Sequence, residues 1–106
     1  MLTVGDAKKI IDRMDNNYQI FVTKQFERDL EKIAQSGHRK IAQKLVDFVY
    51  PQLRQHPHFG PSIKKLKDFT PDTWRYRIGA WRFFYEIDKE GKIINMVAAS
   101  HRGSAY

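Results

Sequence analysis

The run Trp74-Arg75-Tyr76-Arg77-Ile78-Gly79-Ala80-Trp81-Arg82-Phe83-Phe84-Tyr85 specifies a hairpin and both of its faces. Strict alternation from Trp74 to Ile78 is the period-two signature of a strand with one buried side. Gly79-Ala80 suits a two-residue loop, because glycine at the first central position supplies the positive φ of a type II′ turn. The expected pairs are Ile78 with Trp81, Arg77 with Arg82, Tyr76 with Phe83 and Arg75 with Phe84. One face then carries Trp74, Tyr76, Ile78, Trp81, Phe83 and Tyr85. The other carries Arg75, Arg77, Arg82, Phe84 and Glu86. Like charges opposed on a sheet destabilise it by roughly a few tenths of a kcal/mol per pair, so folding alone gives no reason to gather these arginines. A polyanion does, since guanidinium groups stay charged and grip phosphate through two donors at once. The alternative is a set of strand arginines that simply face solvent.

Charge outside the hairpin agrees with a polyanionic partner. The chain of 106 residues is the size of one domain with a thin core. It has 19 Lys plus Arg against 12 Asp plus Glu, a formal charge of +7. Residues 54–106 hold ten basic and five acidic side chains, whereas residues 1–53 hold nine and seven, so the excess is concentrated around the hairpin. Nucleic acid or an acidic protein fits such a surface. The absence of cysteine excludes disulfides and thiolate zinc sites. No apolar run has the length of a membrane span, and no signal-peptide core stands at the N-terminus, so a cytoplasmic location is expected.

Upstream, residues 1–17 read as an N-terminal amphipathic extension, a helix with Leu2, Val4, Ala7, Ile10, Ile11 and Met14 on one stripe. A helix this short needs a packing partner, either the rest of the domain, a second copy or another protein. Tyr18 to Val22 is rich in aromatic and β-branched residues, as a strand is. Thr23 then stands as the N-cap of a helix that buries Phe26, Leu30, Ile33 and Ala34 and stops at Gly37. A second helix is expected from about Arg39 to Gln55, with Ile41, Leu45, Phe48, Val49 and Leu53 inward. Pro51 implies a kink or an early end.

Residues 56–72 read as a loop punctuated by Pro and Gly. His56 and His58 lie within it without carboxylate or cysteine company, which is a weak metal signal. Lys64, Lys65 and Lys67 precede the arginine strand and extend its basic surface, or form an ordinary solvated run. A second turn at Glu90-Gly91 leads to a last strand over Lys92 to Ala99. Strands grouped after helices favour an α+β domain with the helices on one sheet face and the arginine face open.

The chain closes with Ser100-His101-Arg102-Gly103-Ser104-Ala105-Tyr106. Together with Ile63 to Leu66 and Lys67, the Trp74 to Gly79 run and the Trp81 to Ile87 run, this ending resembles the RelE/ParE superfamily of toxins from toxin–antitoxin systems, over about residues 18–106. The resemblance implies an α+β fold, a small twisted antiparallel sheet packed on two helices, to which residues 1–17 add a helix. It implies a toxin held inactive by a cognate antitoxin. In the RelE-like branch it further implies an endoribonuclease that cuts mRNA in the ribosomal A site, with the 2′-hydroxyl as nucleophile and neither metal nor cofactor. Carried over residue by residue, Arg75 and Arg77 are the basic positions of the first hairpin strand, Arg82 follows the turn, Arg102 stands near the end of the last strand, and Tyr106 is the C-terminal aromatic.

These residue types suit such a reaction. In-line attack needs a proton removed from the 2′-hydroxyl, stabilisation of charge on the phosphorus and a proton for the departing 5′ oxygen. Positioned acids and bases contribute about 10²- to 10⁴-fold, and fixed cations add electrostatic stabilisation. Arg82 supported by Arg77 would hold the phosphate, with Arg75 assisting. Tyr106 is a proton acceptor if the arginines lower its pKa, and His101 is an alternative base or acid. On a regular strand His101 and Arg102 point to opposite faces, so both reach one site only if the strand has ended or bulged. Phe84 is a base-stacking platform or a cover for the sheet. The expected function is therefore a ribosome-dependent mRNA endoribonuclease toxin. Its rivals are a ParE-like inhibitor of DNA gyrase and a non-catalytic module that holds RNA or an acidic partner.

Overall fold

The computed structural model describes residues 17–101; the expected N-terminal helix lies outside them, apart from Asn17. The elements are β1 (Gln19–Val22), α1 (Lys24–Gln35), α2 (Arg39–Lys44), a π-helical turn (Leu45–Val49), α3 (Tyr50–Gln55), β2 (Ile63–Lys65), β3 (Thr73–Ile78), β4 (Trp81–Asp88) and β5 (Ile93–His101). The sheet order is β1-β5-β4-β3-β2. The hairpin forms in the expected register, with Ile78 opposite Trp81 and Arg77 opposite Arg82. Gly79 takes the positive φ of 57° that its turn requires.

Two features depart from the expected sheet. β1 runs parallel to β5, so the sheet is mixed rather than antiparallel throughout. The helices and the β2–β4 meander return the chain to its first strand in the same direction. β2, within the stretch expected as loop, pairs with β3 through Ile63 and Tyr76, Lys64 and Arg75, and Lys65 and Trp74. A three-residue edge strand is too short to show a period in sequence.

Both helical rods pack on one face, as expected of this α+β class. Phe26, Leu45, Val49 and Leu53 are fully buried against Phe83, Tyr85, Ile94 and Met96. Each such side chain contributes about 1.5–3 kcal/mol of apolar burial. The Thr23 side chain caps α1 by accepting from the Phe26 N–H at 3.1 Å, and Gly37, at φ 92°, follows its end. Pro51 does not end the second rod, although its ring nitrogen has no hydrogen to donate to the helix. The π turn lies just before it, with the Tyr50 N–H donating five residues back to the Leu45 carbonyl, and the helix continues to Gln55. The wider turn brings Val49 under Leu45 and swings Phe48 away from the core, where it is 65 % exposed rather than inward.

Candidate nucleic-acid interface

The face of the sheet away from the helices carries two adjacent cross-strand rows. Lys64, Arg75, Phe84 and Ala98 form one, and Arg77, Arg82 and Ser100 form the next. Directly paired residues stand about 5 Å apart, and rows two residues apart are separated by about 6.6 Å. Four cations thus share one small patch, and none of them has an ion-pair partner among the described residues. Its floor is completed by the small side chains of Ala98 and Ser100.

Crowding marks this patch electrostatically. The Arg75 pKa is lowered from its usual value, first by burial and then by the charges of Arg77 and Arg82. An arginine remains charged regardless, so the direction reports first the cost of holding this charge away from water and second the repulsion of its two neighbours. Among the described residues, two buried side-chain polar atoms have no hydrogen-bond partner: Arg75 Nε and Ser100 Oγ. They belong to the two rows of this one face. Buried polar groups are normally satisfied, and a phosphate supplies the acceptors that a guanidinium and a hydroxyl lack here.

The expected site residues do not all gather on this face. Lys64 joins it, directly opposite Arg75. Lys65, the next residue, faces the other way, opposite Trp74 and ion-paired to Asp72 at 3.2 Å. Lys67 lies exposed beyond the end of β2. Phe84 has the register of the open face but is only 4 % exposed; it covers the sheet, and its ring is not presented for base stacking. His101 is on the helix side. The β4–β5 register shifts after Phe84, which pairs with Ala98 while Tyr85 pairs with Met96, so Val97 is an extra residue on β5. That bulge turns Ser100 toward the arginines and sets His101 opposite Trp81, with the two rings edge-on at 4.9 Å. The bulge has thus removed His101 from the arginine group. Arg102 and Tyr106 lie outside the described residues. His58 turns onto Trp74 at 5.1 Å between ring centroids, and His56 is exposed.

Sequence reasoning did not find the residues that shape this end of β5. The Asp29 carboxylate accepts from the Ala99 N–H at 2.9 Å, and the Thr23 hydroxyl donates to the Val97 carbonyl at 3.1 Å. Both contacts span some seventy positions in the chain, and no local pattern announces them.

The family model described as the ParE toxin of the type II toxin–antitoxin system parDE matches residues 20–106. The chain belongs to the ParE toxin family. It is therefore a member of the RelE/ParE superfamily and a toxin of a type II toxin–antitoxin system. Among solved structures, the RelBE2 toxin–antitoxin complex from Mycobacterium tuberculosis is similar at 26% identity and a TM-score of 0.67, covering 83% of this chain and 94% of that one. The RelE–RelB complex from Pyrococcus horikoshii is similar in fold, with 22% identity, a TM-score of 0.60 and coverage of 84% and 99%. So is the YoeB/ParE toxin from Agrobacterium tumefaciens, with 19% identity, a TM-score of 0.66 and coverage of 79% and 98%. No curated protein sequence matches the chain. Among the described residues, no helix of this ParE-family toxin is long and apolar enough to cross a membrane.

Proposed function

We propose that this toxin is a ribosome-dependent mRNA endoribonuclease and that Arg75, Arg77 and Arg82 form its phosphate site. The observation that carries the reading is the pair of unpartnered buried atoms, Arg75 Nε and Ser100 Oγ, within a patch of four cations. Arg77 and Arg82, opposed across the hairpin, grip the scissile phosphate from two sides. Arg75 and Lys64 stabilise the additional negative charge that develops as the 2′-hydroxyl attacks. Lys67 adds to the attraction of the RNA backbone. In this reading Arg102 adds to the cation set and Tyr106 accepts the proton of the 2′-hydroxyl, which requires guanidiniums to lower its pKa, while the P–O5′ bond breaks and the departing 5′ oxygen takes a proton from water. The reaction uses no metal and no cofactor. A cognate antitoxin silences the toxin by covering the arginine face and the C-terminal segment, in keeping with solved relatives that are complexes with RelB. The site of action is the cytoplasm, where translating ribosomes are.

Gyrase inhibition is the second reading, favoured by the ParE description of the matching family and by the position of His101 on the far face. Primer extension on mRNA in a purified translation system, run with and without ribosomes beside a gyrase supercoiling assay, separates the two. Cuts within A-site codons that need ribosomes support the ribonuclease. Inhibited supercoiling with intact mRNA supports the gyrase inhibitor.

A further inference from the structure

A second basic surface lies on the helix side of the sheet, at the end of the hairpin away from Gly79-Ala80. It is a pocket of about 510 Å³ whose walls include His58, Phe59, Lys65, Trp74 and Lys89. The loop that carries His58 and Phe59 is fixed on both sides. Before them, the Tyr85 hydroxyl donates to the Pro57 carbonyl at 2.7 Å inside the core. After them, the Gly60 carbonyl accepts from the Ile63 N–H at 3.1 Å. Between these anchors His58 stands edge-on to Trp74 at 5.1 Å and to Tyr18 at 6.4 Å. Phe59 lies 6.2 Å from His58 and is 76 % exposed, the most exposed of the large apolar side chains among the described residues.

Cations surround these rings. Lys65 Nζ is 6.0 Å from the Trp74 ring and Lys92 Nζ 4.9 Å from that of Tyr18. The acid in the pocket, Asp72, is paired with Lys65 at 3.2 Å, so these two charges offset each other and Lys89 is the lining ammonium that remains. An open phenyl ring among ammonium groups has the chemistry of a platform for a base with its flanking phosphates. An acidic peptide would use the lysines and leave the exposed ring unexplained. The two basic surfaces also meet. Successive residues of a strand point to opposite faces, so on edge strand β2 Lys64 belongs to the arginine face and Lys65 to the pocket.

We propose that the pocket is a second nucleotide subsite for single-stranded RNA: a strand whose phosphate rests on Arg75, Arg77 and Arg82 passes round the β2 edge over Lys64 and Lys65 and stacks a base on Phe59 beside His58 and Trp74. The position of that phosphate rests on the ribonuclease reading; occupancy of the pocket is measured without cleavage. Binding of a fluorescein-labelled 12-nucleotide uridine RNA to the full chain is followed by anisotropy, with ultraviolet crosslinking to locate the contact. Phe59→Ala, which removes an exposed ring, is expected to weaken binding about 5- to 100-fold. Lys89→Glu is expected to weaken it and to flatten its salt dependence, and crosslinks are expected in the peptides holding Phe59 or Trp74. Unchanged binding by both variants, with crosslinks confined to the arginine face, overturns the subsite. So does tighter binding of a glutamate dodecapeptide that depends on Lys89 and not on Phe59. Loss of RNA binding in Phe59→Ala with no cleavage by the parent protein keeps the subsite and sinks the ribonuclease reading. Cleavage by the parent with unchanged binding by Phe59→Ala and Lys89→Glu does the reverse.

Discussion

Arg77 and Arg82 stand directly opposite each other across the β3–β4 hairpin. The pair works against the sheet, and Arg75 in the adjacent row adds a third positive charge. Arg77→Thr places a β-branched residue of good strand propensity at an exposed position and relieves the repulsion. The variant is expected to be more stable than the parent by roughly a few tenths of a kcal/mol, read as a higher urea midpoint at unchanged slope, while its mRNA cleavage falls. A lower midpoint would show that the arginines support the fold.

His101 tests the consequence of the β5 bulge. Its ring packs on Trp81, on the opposite side of the sheet from the arginines. His101→Gln is therefore expected to cleave mRNA at a rate within about threefold of the parent, because a general acid or base would be worth about 10²- to 10⁴-fold. A loss of a hundredfold or more with an unchanged melting temperature would place the imidazole in the reaction.

Tyr85 joins the core to the loop of the second basic surface. Burial holds its phenol well above the usual tyrosine pKa, and its hydroxyl donates to the Pro57 carbonyl. Tyr85→Phe keeps the ring and leaves that carbonyl without its donor, a change worth about 1–3 kcal/mol. Thermal unfolding is expected to shift down by about 4–8 °C for each kcal/mol lost. An unchanged midpoint would mean that the loop is held by other contacts.

His58 predicts how stability changes with pH. Burial, then Lys89 and Lys92, lower its pKa below the ordinary value of 6.5; Lys65, Asp72 and Tyr18 also face this region. A folded pKa below the unfolded one means that the unfolded chain takes up the proton more readily. The contribution of His58 is present above about pH 6.5 and is lost as pH falls through the lower folded value. Melting temperature is expected to drop between pH 7 and pH 5, and to drop less in His58→Gln. Equal slopes in the two proteins would rule out His58 as the group responsible.

The parts of the fold carried by local chemistry were legible in the sequence. Gly79 specified the turn, alternation from Trp74 specified the register, and Thr23 and Gly37 marked the ends of α1. What stayed hidden depends on distant contacts. The bulge at Val97, which decides the side on which His101 lies, is held in place by Thr23 and Asp29 more than sixty positions earlier. Pairing with β3 reveals β2, and only that pairing separates Lys64 from Lys65. Phe48 was misplaced because a π turn, invisible to a 3.6-residue period, shifts the stripe by one residue.

The proposed activity is cleavage of RNA by the arginine face. Its most direct test is the initial rate of A-site mRNA cleavage by Arg82→Ala relative to the parent, measured by primer extension in a purified translation system, with melting temperatures taken in parallel. A rate reduced at least about a hundredfold at a melting temperature no lower than the parent's is the predicted result. Undiminished cleavage by a folded Arg82→Ala, or no cleavage by the folded, antitoxin-free parent, would contradict it.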